Sequence, residues 1–319
     1  MFSPAPTITV VIPTHRRPSL VVVAVKSALA QTYRQIEVIV VIDGPDRSTT
    51  EALDAIGDDR LRYIQLAEKV GGSEARNVGA REARGSWIAL LDDDDEWLPA
   101  KLEKQMAVAH SSTFSDSVLV TSRYICRGNG TRDVVRPRRL PRHGEPIGEF
   151  MFDYLCYFQT STFLCTKELF LQVPFDKDAA FFQDIDWLLR LSRVPGFQLA
   201  VAPEALSVYT VPSALPGITT SLDWRSRLRW GRERRSLMSQ RAYSRFVVGS
   251  CVGRAVQEGA GMDGFKRLLF EVCVNGSPSP YLVSLLCLGF LVSPEQRKRL
   301  RDKVFLSKPA RFQAQLPEK

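Results

Sequence analysis

The chain has 319 residues, and its 43 Lys and Arg against 35 Asp and Glu give a formal net charge of +8 at pH 7. Hydrophobic residues make up 45% and charged residues 24% of the chain, which are ordinary values for a folded protein and exclude a mostly disordered, collagen-like or low-complexity chain. At roughly 150 residues per domain, this length predicts about two structural units and a sizeable hydrophobic core.

The first hundred residues alternate between strand and helix patterns. Apolar, mostly β-branched runs predict four strands, at Thr7–Ile12, Ile36–Ile42, Leu61–Gln65 and Trp87–Leu91. Helices are predicted between and after them, at Ser19–Gln31, around Thr49–Ile56, from Ser73 (as the cap) to Arg84, and from Pro99. Strands and helices that alternate at this spacing indicate right-handed βαβ units and therefore an α/β fold with a mainly parallel sheet.

Polar side chains follow three of these strands, at the point where each strand ends. They are Thr14, Asp43 and the run Asp92–Asp95. In open α/β sheets, ligands bind beyond the carboxyl ends of the strands. We therefore expect these oxygen-bearing side chains to meet at one edge of the sheet.

The four consecutive aspartates repel one another, and a bound cation would offset this repulsion. Mg²⁺ and Mn²⁺ prefer hard oxygen ligands, and Mg²⁺ usually takes one or two carboxylates together with waters and substrate phosphates. Because side chains alternate along a strand, Asp92 and Asp94 can point the same way. The pattern favours Asp94 as a metal ligand and Asp92 as a ligand to the metal or to a ribose, and the alternative is a solvated acidic surface run.

A candidate cation lies in the helix that precedes this run. The guanidinium of Arg76 can pair with a diphosphate or with an acidic side chain of the site in forked geometry. The alternative is a surface arginine in the charged pattern EAR…REAR, which would form pairs along the helix.

The middle of the chain is less regular. Further strands are predicted at Val118–Ile125, Thr160–Cys165, Gln198–Val201 and Leu206–Tyr209. The basic stretch Arg127–Gly148 predicts a loop or a short hairpin, and a helix is predicted from Lys167. In the segment QDIDWLLRL, Asp184 and Asp186 lie at the start of another predicted helix, where acidic residues also stabilise the helix dipole.

The composition becomes helical and basic from Pro212 onward, so we expect a sheet domain over residues 1–212 and a helical, basic region over 213–319. The stretch from Arg225 to Arg245 contains eight arginines and one acidic residue. Trp224 lies just before it and Trp230 lies within it. A solvated helix face, contact with an anionic membrane surface, and contact with an acceptor or diphosphate are the three interpretations.

Two further patterns concern the environment of the chain. The six cysteines form no CxxC pair and have mostly apolar neighbours, which predicts buried, reduced side chains. The longest apolar run, Tyr281–Val292, is shorter than the ~20 residues of a membrane-spanning helix and predicts a buried core helix. With no secretory signal pattern at its start, the chain is expected in the cytoplasm.

Four separated motifs together resemble family 2 glycosyltransferases. They are VVIPTHRR, VIVVIDGP, GGSEARNVGAREARGSWIALLDDDDEW and QDIDWLLRL, and the resemblance extends over roughly residues 7–210. It implies the GT-A nucleotide-diphospho-sugar transferase fold, a Rossmann-like sheet flanked by helices, with a C-terminal helical extension. The family usually has Glu-Asp where this chain has Gln183-Asp184, which leaves the acceptor contacts open.

The resemblance also implies roles for individual residues. Nucleotide-sugar contacts are expected from Pro13, Thr14, His15, Arg16, Asp43, Gly44, Arg76, Asp92 and Asp93. A divalent cation, Mn²⁺ or Mg²⁺, is expected on Asp94 and Asp92, and Asp184 is the expected catalytic base. Asp186 and Trp187 are secondary candidates for contacts with the acceptor, and a buried core position is the alternative for Trp187.

The reaction implied is transfer of a sugar, with inversion, from a nucleotide-diphosphate donor (UDP-, GDP- or dTDP-linked) to a hydroxyl of a glycan or lipid-linked acceptor. A carboxylate that removes the hydroxyl proton accelerates such a step by typically ~10²–10⁴-fold. Nucleic acid is not an expected partner, and peripheral contact with the inner face of a membrane through Arg225–Arg245 is one of the interpretations of that stretch given above. The competing hypothesis is a non-catalytic module that binds polyanions or a membrane surface on the same fold.

Other enzyme classes fit less well. A sugar nucleotidyltransferase or an NAD-dependent dehydrogenase is expected to have a glycine-rich loop after the first strand, and PTHRRPS contains no glycine. A phosphatase with a D-x-D pair is expected to have it after the first strand, whereas here it follows the fourth.

Overall fold

The computed structural model describes residues 8–110, 117–128, 133–154, 156–179, 181–211 and 222–292. The chain divides into two compact units, the first extending to Leu222 and including Arg234–Ser239, and the second comprising Asp223–Glu233 and the residues from Gln240 onward. The boundary predicted at residue 212 lies outside the described residues.

The first unit is built on a sheet that has nine strands within the described part of the chain. Its parallel part contains β1 (Ile8–Thr14), β2 (Ile36–Ile42), β3 (Leu61–Gln65) and β4 (Trp87–Leu90), in the spatial order β3-β2-β1-β4. The helices between these strands are α1 (Pro18–Leu29), α2 (Arg47–Asp54) and α3 (Gly72–Glu82). Every residue of β1 is buried, as expected for a central strand with helices on both faces.

The rest of the sheet is mixed. It contains β5 (Asp95–Trp97), β6 (Val118–Arg127), β7 (Val134–Arg136), β8 (Leu164–Thr166) and β9 (Gln198–Thr210). Strands β4 and β8, β8 and β6, β6 and β7, and β9 and β5 pair in antiparallel fashion, whereas β6 and β9 are parallel. The helices of this part are α4 (Lys101–His110), α5 (Ile147–Met151), α6 (Lys167–Gln172) and α7 (Gln183–Leu191).

Several local predictions differ from the structure. The two strands expected after residue 197 are one continuous strand, β9, which keeps its pairing with β6 through register shifts near Ser122–Tyr124. Thr160–Thr162 forms a 3₁₀ turn ahead of the short strand β8. Ser73 does not cap α3, because Gly71 is the capping residue, with φ of +93°, a conformation that glycine adopts without a steric penalty.

Helix α3 lies close against the sheet because it carries Gly79. A Cβ at this position would lie 2.4 Å from Cγ1 of Val11 on β1. This close approach holds α3, and with it Arg76, against the sheet.

The second unit is helical. It contains α8 (Trp224–Glu233), α9 (Gln240–Phe246), a π-helical segment Val247–Val252, α10 (Gly253–Gln257), α11 (Gly261–Phe270), a second π-helical segment Glu271–Asn275, and α12 (Pro280–Leu291). No described helix is long and apolar enough to cross a membrane. The prediction of a buried helix at Tyr281–Val292 is only half right, because α12 buries Leu282 and Leu286 but leaves Tyr281 and Leu291 67% and 74% exposed.

All six cysteines are free. Cys156, Cys165 and Cys251 are buried as predicted, and burial raises the pKa of the Cys165 thiol. Cys273 is exposed, which corrects the prediction for that residue, because it lies on the outer side of the second π-helical segment.

Candidate functional site

The end of β1 is joined directly to the aspartate run. The Thr14 hydroxyl donates a hydrogen bond to Oδ2 of Asp93 at 2.7 Å, and both side chains are buried. Arg17, just beyond the strand, donates from Nη1 to Asp93 and Asp94 at 3.1 Å each. Arg17 was not singled out in the sequence, although its place in the basic segment after β1 is a usable signal.

Asp43 holds the loop that leads into α3. Its carboxylate accepts hydrogen bonds from the backbone N–H groups of Val70 (2.6 Å) and Gly71 (3.0 Å). Nδ1 of His15 lies 2.6 Å from the carbonyl oxygen of Asp43, so this nitrogen is the protonated one. Asp43 therefore ties the ends of β1, β2 and the α3 loop together.

Three further candidates near this edge have different surroundings. Pro13 is buried inside β1, where it pairs with Val41 of β2. Arg16 is exposed and has a φ of +55°, and Gly44 is buried with a φ of +99°. The backbone after both strands thus turns sharply at the carboxyl edge.

Burial alternates along the aspartate run. Asp93 and Asp95 are buried, whereas the side chains of Asp92 and Asp94 are 24% and 33% exposed. Burial, followed by the negative charges of Asp92 and Asp93, raises the pKa of Asp94 to about 6. Asp92 and Asp94 therefore point away from the core together and crowd negative charge at the surface of the edge.

Buried hydrogen bonds of Asp95 hold the end of the aspartate run in place. Its Oδ2 accepts hydrogen bonds from the amide of Gln159 and from the hydroxyl of Ser161, the latter at 2.5 Å. The Ser161 hydroxyl oxygen also accepts the backbone N–H of Asp92 at 3.0 Å, and the Ser161 carbonyl oxygen accepts Nε1–H of Trp97 at 2.7 Å. Burial raises the pKa of Asp95 well above its ordinary value. The partners Gln159 and Ser161 carry no sequence pattern and were not predicted.

Arg76 connects the aspartate run to α7. It is buried, donates from Nη2 to Oδ1 of Asp92, and donates from Nη1 to Oε1 of Gln183 at 3.1 Å. Its guanidinium also lies 5.4 Å from the ring centroid of Phe175. Arg76 is therefore a buried arginine and not a surface one, and it brings the start of α7 next to Asp92.

Asp184 lies in the first turn of α7, beside Gln183. Burial and the negative charge of Asp92 raise its pKa to about 6, although Arg76 and the N–H of Ile185, which donates at 2.8 Å, act in the opposite direction. A carboxylate with a pKa near neutrality is suited to accept a proton at physiological pH.

The structure corrects the expectations for Asp186 and Trp187. Asp186 is fully buried and accepts hydrogen bonds from Arg190 at 2.8 Å and from Arg234 at 2.5 Å. Trp187 is also fully buried, stacks on Phe175 with ring centroids 4.7 Å apart, and donates to the carbonyl oxygen of Val173 at 2.6 Å. Because α7 turns this face into the core, neither side chain is available to an acceptor in this structure.

Two tyrosines that were not predicted line the same region. The charges of Asp184 and Asp95 add to burial in raising the pKa of Tyr157. Tyr209 lies opposite Asp95 in the β5–β9 pairing. Both rings make edge-to-face contacts with Tyr124, at centroid distances of 6.0 and 6.3 Å. They form an aromatic wall beside the carboxylates.

An open cleft of about 510 Å³ lies beyond the ends of β2 and β3. It is lined by Pro45, Asp46, Arg47, Thr50, Tyr63 and Gln65. None of the four aspartates of the run lines it, so the convergence of polar side chains, and not this hollow, identifies the candidate site.

The membrane contact predicted through Arg225–Arg245 is not tested by the structure, which shows where four side chains of this region lie. Arg234 pairs with Asp186 and, at 2.7 Å, with Asp176 in the first unit. Arg232 forms an ion pair with the buried Glu271 in the second unit. Trp224 and Trp230 are 2% and 5% exposed. Trp224, Trp230 and Arg234 therefore stabilise the fold, whereas Arg232 pairs with Glu271 while its own side chain stays 44% exposed.

The residues at the edge fit a divalent cation that completes its shell with ligand oxygens. Asp92 and Asp94 are the partly exposed carboxylates, and the pKa of Asp94 is raised by its negative neighbours, so a cation would relieve their repulsion. Within the described ranges, no group of three or more His, Cys, Asp or Glu side chains has the geometry to hold a metal ion by itself.

Comparison with known sequences gives a family match. The model of the family described as "Glycosyl transferase family 2" matches residues 9–176, slightly more than half of the chain. The amylovoran biosynthesis glycosyltransferase AmsB of Erwinia amylovora is 23% identical over 248 residues, 74% of this chain and 82% of that protein. WfaP of Escherichia coli, a UDP-Glc:alpha-D-GlcNAc-diphosphoundecaprenol beta-1,3-glucosyltransferase, is 32% identical over 99 residues, 31% of this chain and 39% of that protein.

Solved structures show the same fold. The S. aureus TarS fragment 1-349 in complex with UDP-GlcNAc superposes with a TM-score of 0.62 at 13% identity, covering 96% of this chain and 94% of that one. The mannosyltransferase PcManGT from Pyrobaculum calidifontis, in complex with GDP-Man and Mn²⁺, superposes with a TM-score of 0.54 at 17% identity. The superposition covers 95% of this chain and 80% of that one. These likenesses confirm the GT-A fold expected from the sequence.

Proposed function

Because the chain belongs to glycosyl transferase family 2, we propose that it transfers a sugar, with inversion at the anomeric carbon, from a nucleotide-diphosphate donor to a hydroxyl group of a glycan or lipid-linked acceptor. Residues 1–212 form the catalytic GT-A domain in this proposal, and residues 213–319 form a helical extension. The reaction needs a donor site, a group that stabilises the leaving diphosphate, and a base.

The observation that carries the proposal is the position of Arg76 between the aspartate run and α7. Its two terminal nitrogens contact Asp92 and Gln183, so a positive charge lies between the carboxylates and the segment that bears Asp184. An arginine in this position can pair with a diphosphate and stabilise the charge that develops as the sugar leaves.

The donor site is proposed at the carboxyl edge of β1, β2 and β4. Thr14, His15, Asp43 and Asp93 interlock there through short hydrogen bonds, and Pro13, Arg16 and Gly44 shape the backbone around them. The two similar structures are complexes with UDP-GlcNAc and with GDP-Man, which supports a nucleotide-diphosphate sugar as the ligand here. A screen of donors identifies the nucleotide base and the sugar.

We assign a divalent cation, Mn²⁺ or Mg²⁺, to Asp94 and Asp92. The crowding of negative charge around Asp94 supports this assignment, as does the Mn²⁺ in the PcManGT complex. When bound, such a cation acts as a Lewis acid that stabilises the charge of the diphosphate.

Asp184 is the proposed base. The oxygen of the acceptor hydroxyl attacks the anomeric carbon on the face opposite the diphosphate, and its proton passes to the Asp184 carboxylate. The bond from the anomeric carbon to the diphosphate oxygen breaks, and its electron pair leaves with the diphosphate. A single displacement of this kind inverts the anomeric centre and needs no covalent enzyme intermediate. We assign contacts with the incoming acceptor to Tyr157 and Tyr209, because the charge of Asp184 acts on Tyr157 and both rings pack on Tyr124.

The names of two relatives favour a polysaccharide or lipid-linked acceptor. AmsB is named for amylovoran biosynthesis, and WfaP for a diphosphoundecaprenol acceptor. By analogy, we propose that this chain acts in cell-envelope polysaccharide synthesis, in the cytoplasm at the inner face of the membrane.

A donor screen tests the proposal. The full chain is incubated with UDP-, GDP- and dTDP-linked sugars with Mn²⁺, with Mg²⁺ or with a chelator, and release of nucleotide diphosphate is measured. We expect one donor to be turned over in a cation-dependent way and Asp94→Ala to lose that dependence. No release of nucleotide diphosphate from any donor, combined with a steeply salt-dependent affinity for polyanions, would instead favour the non-catalytic module.

A further inference from the structure

The hydroxyl group of Ser161 joins the two ends of the aspartate run. Its oxygen accepts the backbone N–H of Asp92 at 3.0 Å, and its proton is donated to Oδ2 of Asp95 at 2.5 Å. The backbone N–H of Asp95 donates to the carbonyl oxygen of Asp92 at 3.2 Å, so residues 92–95 form a single turn. Ser161 is fully buried, and its hydroxyl therefore connects the start and the end of this turn out of contact with solvent.

The backbone pairing of β4 with β1 ends one residue before the run. The N–H of Leu91 donates to the carbonyl oxygen of Val11 at 3.1 Å, whereas the N–H of the next residue, Asp92, donates to the Ser161 side chain. A hydroxyl group accepts a hydrogen bond and donates another, whereas a carbonyl oxygen only accepts. Ser161 can therefore bind both the backbone of Asp92 and the carboxylate of Asp95, which a further backbone carbonyl at this position could not do.

Contacts that do not involve the aspartates hold Ser161 in place. Nε1–H of Trp97 donates to the carbonyl oxygen of Ser161 at 2.7 Å, and Nε2–H of Gln105 donates to the carbonyl oxygen of Thr162 at 2.8 Å. The fully buried Lys101 braces both donors, since its Nζ donates to Oε1 of Gln105 and lies 4.0 Å from the ring centroid of Trp97. The 3₁₀ turn that contains Ser161 thus presents the hydroxyl group from a part of the fold outside the aspartate run.

We propose that Ser161 is a positioning residue that sets the separation of the Asp92 and Asp94 carboxylates for the divalent cation. This inference rests on the cation site of the proposed function. Ser161 contacts the backbone of Asp92 and the carboxylate of Asp95, so it acts on the cation through the shape of the turn. Side chains that hold the ligands of a metal ion in place are part of the metal site, and their substitution typically lowers metal affinity by about 10–100-fold.

Thr162 provides a matched control on the same 3₁₀ turn. It is as buried as Ser161, but its hydroxyl bonds to the carbonyl oxygen of Gln159 at 2.6 Å and to the hydroxyl of Thr121 at 2.7 Å. Ser161→Ala and Thr162→Val each remove one buried hydroxyl group from this turn. A purely structural role of Ser161 predicts that the two variants behave alike, whereas a positioning role predicts that only Ser161→Ala weakens the binding of the cation.

Calorimetry with the full chain tests the proposal. Mn²⁺ is titrated into the chain in the presence of UDP, GDP or dTDP, and denaturant titration measures the free energy of unfolding of each variant. We expect Ser161→Ala to weaken Mn²⁺ binding by about 10–100-fold and Thr162→Val to leave it within about a factor of three. Ser161→Cys keeps a side chain of similar size with a weak donor and a weak acceptor. Its Mn²⁺ affinity is expected to lie between those of the wild type and Ser161→Ala, and it takes the place of the alanine variant if that variant does not fold.

The preference between Mg²⁺ and Ca²⁺ gives a second measurement, which a general loss of stability would not change. Mg²⁺ requires a near-ideal octahedral arrangement of oxygen ligands, whereas Ca²⁺ accepts longer and more variable distances. Because the proposal has Ser161 fix the turn, Ser161→Ala is expected to lower the ratio of Mg²⁺ affinity to Ca²⁺ affinity by several-fold. Thr162→Val is expected to leave this ratio unchanged.

The proposal is overturned if the Ser161 variants bind Mn²⁺ as tightly as Thr162→Val does, or if they keep the wild-type preference between Mg²⁺ and Ca²⁺. Failure of the proposed function gives a different result. A wild-type chain whose nucleotide-diphosphate binding needs no cation contradicts the cation site itself and this inference with it. A wild-type chain that needs the cation, together with a Ser161→Ala variant of equal Mn²⁺ affinity, contradicts only this inference.

Discussion

Arg76 on α3 donates a hydrogen bond from Nη2 to Oδ1 of Asp92, the first carboxylate after β4. Only 16 residues separate them, because a parallel βαβ unit returns the chain to the same edge of the sheet. The arginine is buried, and its second terminal nitrogen reaches α7 at Gln183. A single guanidinium thus joins two parts of the candidate site that lie 107 residues apart in the chain.

Replacing Arg76 by Lys tests this connection. Lysine keeps the charge but cannot contact Asp92 and Gln183 with two separate nitrogens in a fixed fork. We expect kcat/KM for sugar transfer to fall at least about tenfold, since a charged hydrogen bond contributes about 1.5–3 kcal/mol. Arg81→Lys on the same helix is the control, because Arg81 is half exposed and pairs with Glu74 outside the site. Equal activities of the two variants would contradict the assigned role of Arg76.

Asp94→Asn tests the cation site. The substitution removes one of the two partly exposed carboxylates of the run and keeps the size of the side chain. We expect calorimetry to show nucleotide-diphosphate binding that depends on Mn²⁺ in the wild-type chain and loses this dependence in the variant. Glu96→Gln is the control. Glu96 is only two residues along the chain from Asp94, but it is 44% exposed and its ion pair is with Arg127. Cation dependence that persists in Asp94→Asn would remove Asp94 as a ligand.

Asp184→Asn separates proton transfer from donor binding. An amide has a similar shape but cannot accept the proton, so transfer should fall by about 10²–10⁴-fold while the Kd for the donor stays within a factor of a few. Asp178→Asn, at an exposed position ahead of α7, is the control. Single-turnover kinetics with a saturating donor measures the chemical step directly, and near-normal turnover would exclude Asp184 as the base.

The pH dependence of transfer follows from the same residue. Burial raises the pKa of Asp184 to about 6, and a base acts only in its ionised form. The rate should therefore fall as the pH decreases through about 6 and reach a plateau above it. The contribution of Asp184 to the stability of the fold changes with pH in the opposite direction to the rate. A carboxyl group whose pKa is raised in the folded state stabilises the fold below its unfolded pKa, and this stabilisation is lost as the pH rises through 6. Asp184→Asn should reduce both dependences, measured by pH–rate profiles and by thermal unfolding, and the part that remains is expected from Asp94, whose pKa is also about 6.

The sequence predicted the parts of the site that follow from sheet topology. Thr14, Asp43 and the aspartate run each end a strand, and parallel strands bring their carboxyl ends together, so their meeting could be expected before the structure. Gln159 and Ser161 could not be found in this way, because they reach Asp95 from a 3₁₀ turn about 65 residues away whose position depends on tertiary packing. No periodic pattern marks such a turn.

Two of the predictions made from the sequence were wrong for the same physical reason. The roles expected for Trp187 and for the run Tyr281–Val292 both depended on which face of a helix is buried. Composition identifies a helix but does not tell which neighbours cover it, and α7 turns Trp187 into the core while α12 exposes Leu291. The one-sided pattern of α12 was visible in its spacing, but only the packing of the second unit shows that nothing described covers it.

Asp186 has a structural role that differs from the acceptor contact expected of it. It is fully buried between Arg190 and Arg234, and Arg234 also binds Asp176, so the segment Arg234–Ser239 is fastened to the helix that carries Asp184. Breaking a buried ion pair by removing one partner costs about 3–5 kcal/mol, because the remaining charge is left without compensation.

Asp186→Asn should therefore lower the free energy of unfolding of the chain by about 3 kcal/mol, measured by denaturant titration. The exposed pair Arg47–Glu51 is the control, and Arg47→Gln should change the stability by less than about 1 kcal/mol. Because α7 would lose a contact near its first turn, kcat should also fall while donor affinity, which depends on the carboxyl edge of β1 and β2, is retained. Arg234→Gln should reproduce both effects, since it removes the same pair from the other side. Stability equal to that of Arg47→Gln in both variants would mean that the pair does not hold α7 in place.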